Sequence, residues 1–358
     1  MTRCLPSTLL SATKTESLTL ASVTFPETPM INRRLLSKIT AALFASLCLG
    51  QGALAQAGDA WPAKPIRLIV PFLPGGASDV FARAVAERLS SALKQPVLVD
   101  NRPGASGIIA AKAVMQAPAD GYTLLYATGS STVMVAALKP DLGIDFSKDL
   151  APVAATFFGG VVLAVHPDVP AKNLNELIAL VKAKPDHYSY ASFGQGTNGH
   201  LTMEWLKSRT GMGIQHVAYK GIAPILTEMS TGIVQIGWVD LVGSLPFIRT
   251  GKIRAIATNG TVRTPQLPDV PTMSEQGYPF PGTGWQGVLA PKATPPAVIN
   301  RLNAEINKIM VSPEILQLTI KFNAEPPKAH TIEQFRELLV RDLGVWKRIV
   351  ADGNIKVD

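Results

Sequence analysis

Residues 188–200 read YSYASFGQGTNGH and set Gly194, Gly196 and Gly199 in a G-x-G-x-x-G spacing. Between a strand and a helix, that spacing lets the backbone approach a pyrophosphate and aims helix amides at it. Two more turns carry similar chemistry. Residues 71–79 (PFLPGGASD) hold Pro74, Gly75, Gly76 and Asp79, and residues 128–132 (TGSST) hold Ser130, Ser131 and Thr132. Glycine allows close backbone approach, hydroxyls cap helices or donate to a carboxylate, and unpaired helix amides attract anions. Any one of these turns alone is more readily an ordinary helix cap. Three of them in one chain point to a shared anion-binding cleft.

The dinucleotide reading fails on the next strand. It requires an acid about 20 residues on, at that strand's end, for the ribose hydroxyls. Here the strand over 215–219 ends Tyr219-Lys220-Gly221, without an acid. No cofactor is expected. There is no G-x-S-x-G elbow and no G-K-[ST] phosphate loop, so hydrolase and nucleotidase chemistry lack a motif. The five histidines (His166, His187, His200, His216, His330) show no metal-ligand spacing, so no metal is expected. His200 follows the glycine loop and could donate to a ligand. The chain carries 34 Lys and Arg against 26 Asp and Glu. The basic residues are scattered, with no basic stripe interleaved with aromatics, and nucleic acid is not an expected partner.

The elements that must carry these turns alternate. Short apolar runs at 66–70, 96–99 and 122–127 read as buried strands, and 79–93 and 106–116 as helices between them. This β-α-β-α-β opening implies a parallel sheet with right-handed crossovers. Strands at 152–157 and 161–165 flank Gly159-Gly160, a glycine pair suited to a hinge between domains. A second series follows, with strands at 189–192, 215–219, 235–239 and 254–258 and helices at 174–183, 197–209, 223–230 and 241–250. A Pro- and Gly-rich stretch over 260–296 contains one strand, 287–290. Helices at 297–310 and 332–350 end the chain. With 358 residues, 47% hydrophobic and 17% charged, the chain suits two folded domains.

The first 55 residues differ. Arg33, Arg34 and Lys38 precede an apolar run over 39–49, followed by Ala53-Leu54-Ala55. A charged region, a short apolar core and an A-x-A site make a secretory signal peptide, cleaved after Ala55. A start at Met30 would give it ordinary length and leave 1–29 outside the translated protein. Both cysteines, Cys4 and Cys48, precede the site, so the mature chain has neither disulfide nor thiolate. Removing the five basic and two acidic residues of the presequence leaves 29 against 24, a net charge of +5.

Read in order, these stretches resemble one family. They are WPAKPIRLIVPFLPGGASDVFAR (61–83), VDNRPGASGIIAAKAV (99–114), ADGYTLL (119–125), YASFGQGTNGH (190–200), VAYKGIAPILTEM (217–229) and LPDVPTMSEQGYP (267–279). The mature chain resembles the periplasmic solute-binding proteins of tripartite tricarboxylate transporters, the TctC or Bug group. The resemblance implies a two-domain, type II-like periplasmic binding fold with mostly parallel mixed sheets, closing on its ligand about a hinge. Domain 1 would be 56–158 with 283–358, and domain 2 would be 159–282. The ligand implied is a small carboxylate: a di- or tricarboxylate, an acidic amino acid or an aromatic acid.

Carried over, Pro74, Gly75, Gly76 and Asp79 grip a carboxylate, and Ser130 and Ser131 line the same side. Ser192, Gly194, Gly196, Thr197 and His200 hold the ligand from domain 2, with Tyr219, Lys220, Gly221 and Asp240. Phe193 stands where a small residue or proline is common in the family, and Trp238 could stack on a planar ligand. The partners implied are two integral membrane subunits of a carrier, and the binding protein itself would be a monomer in the periplasm. A carboxylate sensor feeding a two-component receptor is the alternative, and an exported hydrolase a third.

Overall fold

The computed structural model describes residues 61–282, 284–322 and 328–356. The expected signal peptide and cleavage site, Met30, both cysteines and residue 283 lie outside the described residues.

The run IRLIV forms β1 (Ile66–Val70), with Ile66, Leu68, Ile69 and Val70 all buried. An apolar run without alternation is what a strand covered on both faces needs. Parallel to it on either side lie β2 (Val97–Asn101) and β3 (Thr123–Thr128). Helix α1 (Ala77–Leu93) connects β1 to β2 and buries Phe81, Val85 and Leu89, four residues apart on one face. Between β2 and β3, a short 3-10 turn precedes α2 (Ile108–Met115).

The chain then makes β4 (Leu150–Phe158) and crosses at Gly159-Gly160 to β5 (Val162–Val165) in a second sheet. That sheet is completed by β6 (Ser189–Ser192), β7 (Gln215–Ala218), β8 (Ile236–Val239) and β9 (Arg254–Thr258), in the order β7-β6-β8-β5-β9. Its helices are α3 (Leu174–Ala183), α4 (Asn198–Thr210), α5 (Ile222–Ser230) and α6 (Leu241–Arg249). After β9 the chain returns as β10 (Trp285–Pro291), which inserts antiparallel between β3 and β4. The first sheet therefore runs β2-β1-β3-β10-β4. In each sheet four strands run the same way and one, β10 in the first and β5 in the second, runs antiparallel between them. The two crossing segments are tied where Gly159 N–H donates to Gly284 O at 3.1 Å.

Helices α7 (Pro296–Met310), α8 (Pro313–Phe322) and α9 (Ile332–Asp352) finish the fold. α9 opens with a Thr331–Gln334 capping box and buries Phe335, Leu339, Trp346 and Ile349. Helical stretches that go beyond the sequence reading include Ser130–Leu138, entered through a π turn, the single turn Phe146–Asp149, and α8. The architecture is a two-domain α/β fold, with the carboxyl ends of the parallel strands directed at the space between the lobes, where α/β sheets bind ligands.

Candidate functional site

Beyond β1, the chain turns through Gly75 and Gly76 into α1, whose first residue has no side-chain cap from Gly76. Asp79 braces this turn from behind. Its carboxylate accepts from Gly75 N–H (3.1 Å), Asn101 (3.0 Å) and Arg83 (3.0 Å). Burial alone would raise its pKa, but these hydrogen bonds outweigh burial and hold it below the ordinary carboxylate range. The first amides of α1 are thereby presented to the interlobe space, together with the Ser78 side chain on the cavity wall.

From the opposite lobe Asp240 meets them. It ends β8 and caps α6, accepting from Gly243 N–H at 2.8 Å. It also accepts from the amides of Val242 and, across the cleft, Ala77. Gly76 permits this approach, since a Cβ there would lie 3.0 Å from Asp240 Oδ2. Burial pushes the Asp240 carboxyl up to about 6, against the lowering effect of the three amides. A second cross-lobe bond runs from Asn198 N–H, at the start of α4, to Ser130 Oγ (3.1 Å). A third joins Leu73 N–H to Lys220 O (3.4 Å), and a fourth joins Ser106 Oγ to Gln195 O (2.6 Å). Ser106 and Ala105 hold positive φ (54° and 45°), a conformation that L side chains rarely adopt.

The cavity between the lobes has about 1020 Å³ of non-atom space, including its open mouth. Five helix starts reach its wall: Gly76–Ala77, Gly129–Ser130, Asn198, Gly221–Ile222 and Asp240–Leu241. Phe72, Met134, Phe157, Phe193, Val262 and Trp285 give it an apolar body. No Lys, Arg or His lines it, and Asp240 is the sole ionisable group on the wall among the described residues. Anion binding here therefore falls to backbone amides and hydroxyls. Trp285 is fixed by its indole N–H, which donates to buried Asp342 at 2.7 Å, and burial raises that carboxyl to about 6.

A second cavity, with about 550 Å³ of non-atom space including its open mouth, lies beside the first, lined by Gly194, Tyr219, Lys220 and the 104–107 loop. Phe72 and Phe193, one from each lobe, line both cavities and meet edge-on with centroids 6.4 Å apart. They form the partition between the two spaces.

Of the residues that the sequence singles out, Gly76, Ser130, Gly221 and Asp240 come together on the wall of the first cavity, and Gly194, Tyr219 and Lys220 on that of the second. The others lie outside both walls. Pro74 and Gly75 shape the turn, and Asp79 braces it. The Ser131 hydroxyl is spent on Thr128 N–H (3.0 Å). Ser192 Oγ bonds Gly194 N–H (3.2 Å) and His216 Nε2 (2.7 Å), and Thr197 Oγ1 donates to Gly194 O (2.7 Å). Gly196 N–H donates to His200 Nδ1 (3.1 Å), so this histidine anchors the loop instead of donating to a ligand. Its ring packs 4.3 Å from His216, and burial lowers the two imidazoles to about 4 and about 3. Both are neutral at pH 7.

Trp238 is a correction: it is fully buried in the core and does not edge the cleft. Its neighbour Gly199 leaves it room, since a Cβ there would fall 2.4 Å from Trp238 Cβ. Sequence reasoning missed Ser78, Asn198, Thr258, Thr264, Trp285 and Gln286, all on the wall of the first cavity. Ser78 and Asn198 were legible as neighbours of turns already chosen. The other four sit at the chain crossings and carry no motif.

The profile of the tripartite tricarboxylate transporter family receptor matches residues 81–355. Protein BugT of Bordetella pertussis is 36% identical over 301 residues, covering 84% of this chain and 92% of its own. A solved structure described as a periplasmic transporter is 37% identical with a TM-score of 0.80, over 84% of this chain and 100% of its own. That of R. palustris Rpa4515 with adipate is 31% identical with a TM-score of 0.79, over 83% and 99%.

Proposed function

This chain belongs to the tripartite tricarboxylate transporter receptor family, a family of solute-binding receptors and not of enzymes, and from that premise we propose an exported carboxylate receptor. It captures a small carboxylate between its lobes in the periplasm and delivers it to two integral membrane subunits of a carrier. The observation that carries the reading is the convergence of five helix starts on one interlobe cavity without a basic side chain. Helix amides serve a carboxylate well in such a dry, apolar site, where charge-assisted hydrogen bonds are strong. The adipate bound by the R. palustris relative supports the ligand class. In this proposal the amides of Ser78 and Ile222 and the hydroxyls of Ser78 and Ser130 form the carboxylate end. Residues 56–158 with 283–358 form one domain and 159–282 the other, closing about Gly159-Gly160.

Thermal unfolding of the purified protein against a panel of aliphatic and aromatic carboxylates tests this. A ligand at 100 times its Kd stabilises the native state by about 2.7 kcal/mol, a midpoint rise of several degrees. A rise with one class of carboxylate is expected. No rise with any, after refolding to strip bound solute, refutes the proposal.

A further inference from the structure

The carboxylate end does not account for the whole cavity. Three more polar side chains stand on its wall, each more than nine-tenths buried: Thr258 (5% exposed), Thr264 (2%) and Gln286 (8%). Thr258 Oγ1, Thr264 Oγ1 and Gln286 Oε1 have no hydrogen-bond partner in the protein. Leaving a buried polar atom unpaired is unfavourable, and three on one wall of one cavity form a set that a bound group would complete.

Their place in the fold is specific. Gln286 is the second residue of β10, and Thr258 ends β9. In the first sheet β10 is two strands from β1, which leads into Gly76, and in the second β9 is two strands from β8, which leads into Asp240. Two strand spacings are about 10 Å. The two lobes thus supply matching polar ends, one at Gly76 and Asp240 and one at Gln286 and Thr258; Val162 of β5 lies on the wall between the strands of the second lobe, and Phe157 of β4 flanks Gln286 on its outer side.

The chemistry of the ends differs. Neither a cation nor a helix start is found among Thr258, Thr264 and Gln286. Gln286 Oε1 is an acceptor and needs a donor, whereas the threonine hydroxyls can donate or accept. A carboxylate offers acceptors only. A hydroxyl or a carboxamide offers both.

Resting on the carboxylate reading of the site, we propose that Thr258, Thr264 and Gln286 form a second, uncharged subsite. The ligand is then a monocarboxylate with an apolar body of about 10 Å reach, ending in a hydroxyl or amide group. A site built to hydrogen-bond a ligand group rejects analogues lacking it more strongly than an apolar pocket discriminates size.

Calorimetric titration of the purified full chain with four probes of one body tests this: hexanoate, 6-hydroxyhexanoate, the monoamide of adipate, and adipate. The hydroxy acid or the monoamide should bind at least tenfold tighter than both hexanoate and adipate. Gln286→Leu and Thr264→Val should bring the ratio of monoamide to hexanoate near one while retaining hexanoate affinity. Because each removes an unpaired buried polar atom, neither should lower the melting temperature of the ligand-free protein. Adipate equal to or tighter than both the hydroxy acid and the monoamide, or ratios unmoved by both variants, overturns the uncharged subsite and leaves the receptor reading standing. Absence of binding by these probes and by every carboxylate in the wider panel overturns both.

Discussion

Asp240 provides the sharpest prediction, because it is an acid placed where an anion is to bind. Its carboxylate already accepts from Ala77 N–H at the start of α1. A ligand carboxylate within about 5 Å, at an effective dielectric near 20, would be repelled by about 3 kcal/mol. With its pKa pushed up to about 6 by burial, protonating Asp240 at pH 7 costs about 1.4 kcal/mol. Protonation is the cheaper course, so carboxylate binding takes up close to one proton at pH 7. The competent fraction is then about one in eleven at pH 7 and nine in ten at pH 5, so affinity falls about tenfold as pH rises across that range.

Titration calorimetry in buffers of different ionisation enthalpy reads the proton uptake directly. In Asp240→Asn the uptake should vanish, affinity at pH 7 should rise about tenfold, and the profile from pH 5.5 to 7.5 should be flat. His200 and His216 lie below this window. Asp342 titrates within it but bonds Trp285 in the core and is retained in the variant. No proton uptake in the wild type, or equal uptake in the variant, would refute the reasoning.

Phe193→Ala removes one half of the aromatic partition between the two cavities; ligand dissociation in stopped flow should accelerate about tenfold or more, with a smaller change in association. Ser130→Ala deletes the hydroxyl that accepts from Asn198 N–H across the cleft. Losing such a cap costs about 1 kcal/mol, so ligand affinity should fall about fivefold. The His200–His216 pair predicts acid sensitivity. Their folded pKa values are lowered by burial, so the unfolded chain binds protons first, and stability is lost as pH falls from 6.5 towards 4. The raised carboxyls of Asp240 and Asp342 oppose this, adding stability as pH falls through 6. In His216→Gln, the stability gap to wild type should shift by about 2 kcal/mol in the variant's favour between pH 6.5 and 5, read by urea unfolding.

The order of elements was legible because continuous apolar runs and helical spacing alternate cleanly, as in β1 and α1. The site was legible only where a turn follows directly on a strand end. Asp240 sits one residue past β8 and reaches the cavity, while Trp238 lies within the strand and points into the packed face of the sheet. Asp79 and His200 sit beside the right loops, but their side chains turn inward to hold them. Thr258, Thr264 and Gln286 meet only because the chain crosses twice between the sheets, and no local pattern records a meeting of residues so far apart. The helix over Ser130–Leu138 was hidden by a Ser/Thr-rich start whose hydroxyls bond back to Thr128.

The central claim is that one carboxylate lies between the lobes, held by helix amides from both. A crystal structure of the protein with the best-stabilising carboxylate tests it most directly. The account predicts a carboxylate group within hydrogen-bond distance of the amides at the starts of α1 and α5, with no Lys, Arg or His in contact. A ligand bound outside this cavity, or paired there with a basic side chain, would contradict it.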